Sequence, residues 1–193
     1  MSLKKHFAAN IAVNNHGGTD ALIDRRIREL CLTKQMIEPF SQQAVQPCSY
    51  DVHLGNTLEI EGHRGVFNRI DFSGYNQKCP LWIKPGQFLL GQTVENVRLP
   101  DNVEAHLHLV SSRAREGLQH AVSGLVDCGW NGVLTLELKN NLQFGEVPIY
   151  PNLRIAQLTF FEYAEAAENP YRGRYFGDKD VSRSKHGQDL LHI

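Results

Sequence analysis

The sequence lacks the patterns that mark membrane, secreted or zinc-binding proteins. No apolar run approaches the length of about 18 residues that a membrane-spanning helix needs. The N-terminal segment "MSLKKHFAANIAVNNHGG" has no apolar core of the kind found in signal peptides. The cysteines stand far apart and form no C-x-x-C pair: Cys31, Cys48, Cys79 and Cys128. These absences predict a cytoplasmic protein with free thiols and no structural zinc site.

The sequence also lacks an excess of either charge. Its 193 residues include 20 Lys and Arg against 21 Asp and Glu, so the formal net charge is -1. A general nucleic-acid or membrane surface would need a basic excess, and we therefore predict neither partner. Any nucleotide would have to bind at a local site. With 41% hydrophobic residues, the chain has the composition of a globular domain with a core.

One segment near the N-terminus predicts a helix. It reads "TDALIDRRIRELCLTKQMI", and its apolar residues fall on one helical face: Ile23, Ile27, Leu30 and Cys31. Thr19 and Asp20 are the candidate N-caps of this helix. Residues 1–18 are expected to be disordered.

After Pro39 the chain consists of short alternating segments separated by turn residues. They are "SYDVHLG", "PLWIKPG", "QFLLGQTVENVRL", "VEAHLHLV", "GVLTLELKN" and "RIAQLTFFEY". Many short strands with polar turns indicate a mainly β sandwich or barrel. We expect the β domain with its short N-terminal helix to span residues 19–168. Residues 169–193, rich in glycine, charge and aromatics, are expected to form a flexible tail.

The strand "GVLTLELKN" raises the first question of function. Its leucines alternate with Val133, Thr135 and Glu137, so these three residues share the face opposite the leucines. That second face either meets solvent, where a glutamate is ordinary, or lines a cleft in which Glu137 serves as a general base.

Two further segments carry candidate binding groups. In "SGLVDCGWNG", Asp127 leads into a glycine-containing turn, where it either bonds its own backbone or faces a ligand. In "SSRAREGL", two hydroxyls and two guanidiniums form either a surface turn or a phosphate cradle. His106 and His108 share a strand face, but no third ligand is spaced to complete a metal site.

The order of these segments resembles the dCTP deaminase/dUTPase family, and the deaminase branch most closely. The resemblance covers Ile23 to Lys185. It implies a distorted β-barrel or jelly-roll, a homotrimer with active sites between subunits, and a C-terminal tail that closes over the nucleotide. It also implies that Mg²⁺ enters with the triphosphate and that no zinc is used. Zinc deaminases carry H-x-E and P-C-x-x-C, and this sequence has neither.

The resemblance also assigns residues. Glu137, three residues before Asn140, stands where deaminases have the glutamate that activates water for attack on C4 of cytosine. Ser111 and Arg115 would help to hold that water and the base. The nucleotide-binding residues implied are Ser112, Arg113, Ser123, Asp127, Trp130, Gln157, Tyr171, Arg174, Tyr175 and Lys179. In the dUTPase branch, Asp127 would instead activate water for attack on the α-phosphate.

Three positions depart from the family pattern. Val110 replaces an arginine, for which Arg113 is the candidate substitute; Val122 replaces a threonine; and Asp178 replaces a glutamine, which places a carboxylate near the triphosphate. Because each departure lies at a phosphate or water contact, three hypotheses stay open. The protein is a dCTP deaminase that forms dUTP and ammonia, a dUTPase or bifunctional enzyme that forms dUMP and pyrophosphate, or a non-catalytic nucleotide-binding homologue.

Overall fold

A computed structural model describes residues 19–121 and 124–186, and strands dominate it. The expected disorder of residues 1–18 lies outside the described residues. The bounds of the helices and strands are β1 Thr19–Ala21, α1 Asp24–Lys34, β2 Ile37–Glu38, β3 Val45–Gln46, β4 Ser49–Glu61, β5 Phe67–Asp71, β6 Leu81–Ile83, β7 Phe88–Arg98, β8 Val103–Leu109, α2 Ser111–Arg115, β9 Leu118–His120, β10 Leu125–Val126, β11 Asn131–Asn140, β12 Val147–Ile149 and β13 Arg154–Tyr163. Each segment predicted to be extended contains a strand, so the mainly β prediction is confirmed.

Eleven of the strands form one antiparallel sheet. Its central path runs β10-β8-β13-β4-β7-β11-β9, while β6 and β12 form a separate ribbon. The register shifts at three places along β4, β11 and β13, and bulges of this kind bend a strand and increase its twist. The sheet therefore curls into a half-barrel, which confirms the predicted distorted barrel.

The core is formed largely by alternate residues of the long strands. In β11, Leu134, Leu136 and Leu138 are buried, and the residues between them are only partly buried. The same period of two runs through β8 and much of β13. Removing these apolar side chains from water supplies the main driving force for folding.

The helix α1 is present, but its predicted cap is wrong. It begins at Asp24, and the capping position is Ile23, which makes no side-chain bond to the helix. Thr19 and Asp20 cannot cap it because they belong to β1, which pairs with β13. Within the described residues, no helix combines the length and the apolar character needed to cross a bilayer.

The apolar stripe of α1 is only partly confirmed. Ile27, Leu30 and Cys31 are buried against the sheet, whereas Ile23, at the cap, is 59% exposed. Arg26 on the other face donates two hydrogen bonds, of 2.6 and 2.9 Å, to Glu162 of β13. The helix is thus fixed to the sheet by one apolar face and one ion pair.

A buried carboxylate ties β7 to β4. Glu95 accepts hydrogen bonds from the backbone N–H of His53 at 2.9 Å and from its Nδ1 at 2.7 Å. Glu95 is buried, and Asp51 and Arg154 lie beside the pair with their own ion pair of 2.9 Å. The hydrogen bond to Glu95 raises the pKa of His53, against the opposing effect of burial.

We predict that this pair stabilises the fold in a pH-dependent way. Because the pKa of His53 is raised on folding, its contribution is complete below the unfolded-state pKa and is lost as pH rises through the folded-state pKa. The free energy of unfolding of the wild type should exceed that of H53Q by about 1 kcal/mol below about pH 6, and the difference should shrink at alkaline pH. Urea unfolding at a series of pH values measures it. A difference that stays constant with pH would contradict the assignment.

Candidate active site

A cavity of about 1030 Å³ opens between β11 and the C-terminal segment. It brings together several residues singled out from the sequence, namely Asp127, Trp130, Glu137, Tyr171 and Tyr175. These residues come from three separated parts of the chain: the turn before β11, β11 itself and the tail. Folding therefore brings together around the cavity residues that are distant in the sequence.

Glu137 reaches the cavity because β11 is pleated. Val133, Thr135 and Glu137 alternate with the buried leucines and line the cavity wall together. The Glu137 Oε2 atom is buried without a hydrogen-bond partner among the residues that the structure describes. Burial raises the pKa of Glu137, and no other cause contributes to that shift. A carboxylate whose pKa is raised is better suited to accepting and returning a proton than an ordinary exposed carboxylate.

The turn before β11 presents Asp127 and Trp130. It closes with a hydrogen bond from the Trp130 N–H to the Asp127 carbonyl at 3.1 Å, and the indole N–H donates to the Gly132 carbonyl at 3.1 Å. The Trp130 ring lies 5.4 Å from that of Tyr171, between centroids, with the ring planes tilted by 33°. The pair forms an aromatic wall on which a flat heterocycle can stack.

Two glycines let the tail approach this turn. Gly132 has a φ of 147°, and a Cβ there would stand 2.8 Å from the backbone oxygen of Asp178. Gly129 has a φ of 79°, and its Cβ would stand 2.6 Å from Pro170. Any larger residue would push the tail from the turn, so the glycines permit the contact that closes one side of the cavity.

The tail extends the open edge of β11. The N–H groups of Val133 and Gly177 donate to the carbonyls of Asp178 and Asn131 at 2.9 and 2.7 Å. Farther along, the Ser182 N–H donates to the Thr135 hydroxyl at 3.3 Å. These bonds lay the tail along β11, with Ser182 and Arg183 in the cavity wall.

Asp178 is paired within the tail itself. Its carboxylate accepts a hydrogen bond from the Ser182 hydroxyl at 2.8 Å and lies 2.6 Å from the Lys185 ammonium. The negative charge that would repel a triphosphate is therefore offset by Lys185. Lys179, the predicted neighbouring cation, is exposed and does not line the cavity.

The serine-arginine segment lies elsewhere on this chain. It folds as the short helix α2, in which Ser111, Ser112 and Arg115 are exposed and outside the cavity lining. Arg113 forms an ion pair of 2.6 Å with Glu116. This pair engages Arg113 within its own helical turn. The role of Arg113 as a substitute for the arginine missing at 110 stays a prediction.

The remaining predicted residues are dispersed. Val110 is buried and donates its N–H to Ile155. Gln157 lies within β13, opposite Asp51 and His108, and Arg174 is exposed in the tail. Ser123 and Val122 lie outside the described residues.

Sequence reasoning missed several residues of the cavity wall. Thr135 carried a signal, since it shares the strand face of Glu137. Phe67, Ser182 and Arg183 carried none, because their position depends on how β5 and the tail fold back over β11. Across residues 19–121 and 124–186, no group of three or more His, Cys, Asp or Glu side chains is placed to hold a metal ion.

Comparison with known proteins identifies the relatives of this fold and site. The family described as dCTP deaminase-like matches residues 20–163. A Persephonella marina protein named "dCTP deaminase, dUMP-forming" is 37% identical over 174 residues, which span 85% of this chain and 96% of that protein. A Thermococcus kodakarensis protein named "dCTP deaminase" is 36% identical over 156 residues, which span 78% of this chain and 90% of that protein.

A solved structure shares the fold. The structure of 2'-deoxycytidine 5'-triphosphate deaminase from Agrobacterium tumefaciens matches with a TM-score of 0.61 at 21% sequence identity. The match covers 75% of this chain and 48% of that chain. This likeness independently supports the half-barrel architecture.

We predict that the charged Glu137 carboxylate makes the folded protein less stable than a neutral side chain would at this position. Because its pKa is raised on folding, the charged form is disfavoured in the folded state, and the cost grows as pH rises above the unfolded-state pKa. At neutral pH, E137Q should therefore unfold with a free energy about 0.5–1 kcal/mol higher than the wild type. Urea unfolding gives the value, and E146Q, at an exposed glutamate, serves as the matched control with little change. An E137Q protein less stable than the wild type would contradict the prediction.

Proposed function

The chain belongs to the dCTP deaminase-like family, and on that premise we propose that it deaminates dCTP to dUTP and ammonia. The observation that carries the proposal is the Glu137 carboxylate, which lines the cavity, has an oxygen without a partner among the described residues and has a raised pKa. A carboxylate in this state is disposed to take a proton from water. The relatives' names supply the substrate on which that water would act.

The proposed chemistry is a hydrolysis. Glu137 takes a proton from water as the water oxygen bonds to C4 of cytosine, and the ring nitrogen N3 accepts a proton in return. Glu137 supplies that N3 proton, then takes the proton of the new C4 hydroxyl and passes it to the amine. Collapse of the tetrahedral intermediate forms the C4 carbonyl, breaks the C4–amine bond and releases ammonia. One water is consumed, and the products are dUTP and ammonia. Trp130 and Tyr171 would present an aromatic surface to the base where the turn meets the tail.

Phosphate binding requires cations, and the described residues supply one basic side chain to the wall of this cavity. The basic side chain in its wall is Arg183, and that guanidinium is bonded to Glu59. Ser111 and Arg115, the family's phosphate and water ligands, are exposed on α2. We therefore propose that α2 of a neighbouring copy in a homotrimer completes each site. Mg²⁺ would arrive as part of the substrate, bound to phosphate oxygens, as a hard cation prefers.

The tail would close the site. Tyr171 and Tyr175 already line the cavity, and the tail's backbone is bonded to β11. Arg174 and Lys179, exposed on the same segment, would contact the nucleotide from outside. A cytoplasmic location follows from the nucleotide substrate of the proposed reaction.

A second activity is favoured by Asp127. Its side chain lines the same cavity as Glu137, and it lies in the turn where dUTPase-like enzymes have the aspartate that activates water. The Persephonella marina relative is named dUMP-forming. We propose that the dUTP formed in the first step is hydrolysed at its α-phosphate to dUMP and pyrophosphate before it leaves.

The first test resolves the products from dCTP and from dUTP. With Mg²⁺ present, the wild type should convert dCTP to dUMP with ammonia and pyrophosphate, since both carboxylates share one cavity. E137Q should lose deamination by about 10²–10⁴-fold, the usual contribution of a general base. D127N should stop at dUTP. Anion-exchange chromatography separates these nucleotides.

The possible outcomes are distinct. If the wild type accumulates dUTP, the proposed deamination is supported and the proposed hydrolysis of dUTP to dUMP is rejected. Near-normal turnover by E137Q would remove Glu137 from the mechanism. Nucleotide binding in a calorimeter with no turnover by the wild type would identify a non-catalytic homologue and overturn the proposal.

A subunit-mixing experiment tests whether sites are shared between copies. E137Q and R115Q should each be inactive, because one loses the base and the other the phosphate-side cation. In a mixed trimer, one interface always joins an intact Glu137 to an intact Arg115, so such trimers should recover about one third of wild-type activity. Differently tagged variants, co-expressed and doubly purified, provide the mixed trimers. Unmixed variants are the control, and activity no greater than theirs would place each site within one chain.

A further inference from the structure

We propose that Glu59 and Arg69, which face each other across the β4–β5 pair, form the docking platform that positions the tail over the active-site cavity. The inference rests on the proposed function only where it concerns the binding of the nucleotide. The docking itself is a property of this chain's own residues. It gives a role to a cluster of charges that the reaction does not use.

The first contact joins Glu59 to Arg183. Glu59 is buried in β4, and one carboxylate oxygen, Oε2, accepts hydrogen bonds from Arg183 Nε at 2.9 Å and Nη2 at 2.6 Å. The Arg183 Nη2 atom also donates to the Phe67 carbonyl at 2.9 Å, and the guanidinium lies 5.6 Å above the Phe67 ring. Phe67 and Arg183 both line the cavity, so this contact is part of its wall.

The second contact joins Arg69 to Asp180. Arg69 is the register partner of Glu59 in the β4–β5 pair, and its guanidinium forms an ion pair with Asp180 of the tail. Arg69 also lies 3.7 Å from the other Glu59 oxygen, Oε1. The four charges therefore alternate in the order Arg183, Glu59, Arg69 and Asp180. Glu59 and Arg69 on the hairpin pair with Arg183 and Asp180 on the tail. These two contacts fix the position of the tail along the sheet.

The energetics favour a docked tail. A carboxylate as buried as Glu59 is costly unless it is paired and hydrogen-bonded. If the tail leaves, Arg69, at 3.7 Å and half exposed, is the ion-pair partner that Glu59 keeps among the described residues. The buried charge thus favours the state in which Arg183 is present. Arg183 follows Ser182, whose N–H reaches Thr135 beside Glu137 on β11, so the platform also sets the tail's position at the catalytic face.

A double-mutant cycle in hydrogen exchange tests the docking without nucleotide. E59Q and R183Q should each raise the exchange rate of segment 178–186 by about tenfold, because each removes a charge-assisted hydrogen bond. The double variant should exchange no faster than the more affected single variant, since both lose the same contact. Exchange in β13 should stay unchanged, which separates loss of docking from loss of the whole fold. Mass spectrometry resolves the two segments.

The matched control is E61Q, an exposed glutamate two residues farther along β4, which should leave the tail's protection unchanged. R183Q changes an exposed side chain of the tail, so it tests the contact even if E59Q folds poorly. Wild-type protection in R183Q, or additive effects of the two substitutions, would overturn the docking.

Kinetics then test the effect on the nucleotide. In E59Q and R183Q, KM for dCTP should rise by about tenfold while kcat changes by about twofold or less, because neither residue contacts the reacting atoms. A fall in kcat at constant KM would overturn the positioning role. Failure of the wild type to turn over dCTP would reject the proposed function, and the exchange cycle would still decide whether the platform docks the tail.

Discussion

Successive side chains of β11 point to opposite faces of the sheet, and the candidate site depends on that alternation. The leucines of this strand enter the core, so the residues between them must face the other way. A slip of one residue in the register would bury Glu137 in the core and expose the leucines. The burial of those leucines is therefore what holds the Glu137 carboxylate at the cavity wall.

The other buried carboxylates show what makes Glu137 different. Asp51 is paired with Arg154, Glu95 with His53, and Glu59 with Arg183. Each of them joins two parts of the sheet or fixes the tail, and its charge is offset by its partner. Glu137 has no such partner at Oε2 among the described residues, although it stands in the middle of a well-ordered strand. Glu116 also has a buried carboxylate oxygen without a partner, but it does not line the cavity, so Glu137 is the carboxylate that combines an open oxygen with a place in the cavity wall among the described residues.

Local pattern predicted much of this molecule, and its failures have physical causes. The strands could be predicted because each alternates, and Glu137 could be placed because its neighbours define two faces. The N-cap of α1 could not be predicted, because Thr19 and Asp20 are good capping residues by type but pair with β13 instead. The partners of Asp178 could not be predicted either, because the bond to Lys185 exists only when the tail turns back on itself. The alternation of residue types along a strand predicts which face a residue occupies. Contacts between distant segments depend on packing, which the local sequence does not show.

The departures from the family pattern become coherent once these contacts are known. Val110 is buried beside β13, and Arg113 forms an ion pair with Glu116. Asp178 brings a negative charge to the cavity, but Lys185 and Ser182 offset it. None of these changes adds a free cation where a triphosphate would sit. Since a bound triphosphate needs several cations, the proposed contribution of Arg115 from another copy would supply what these changes do not.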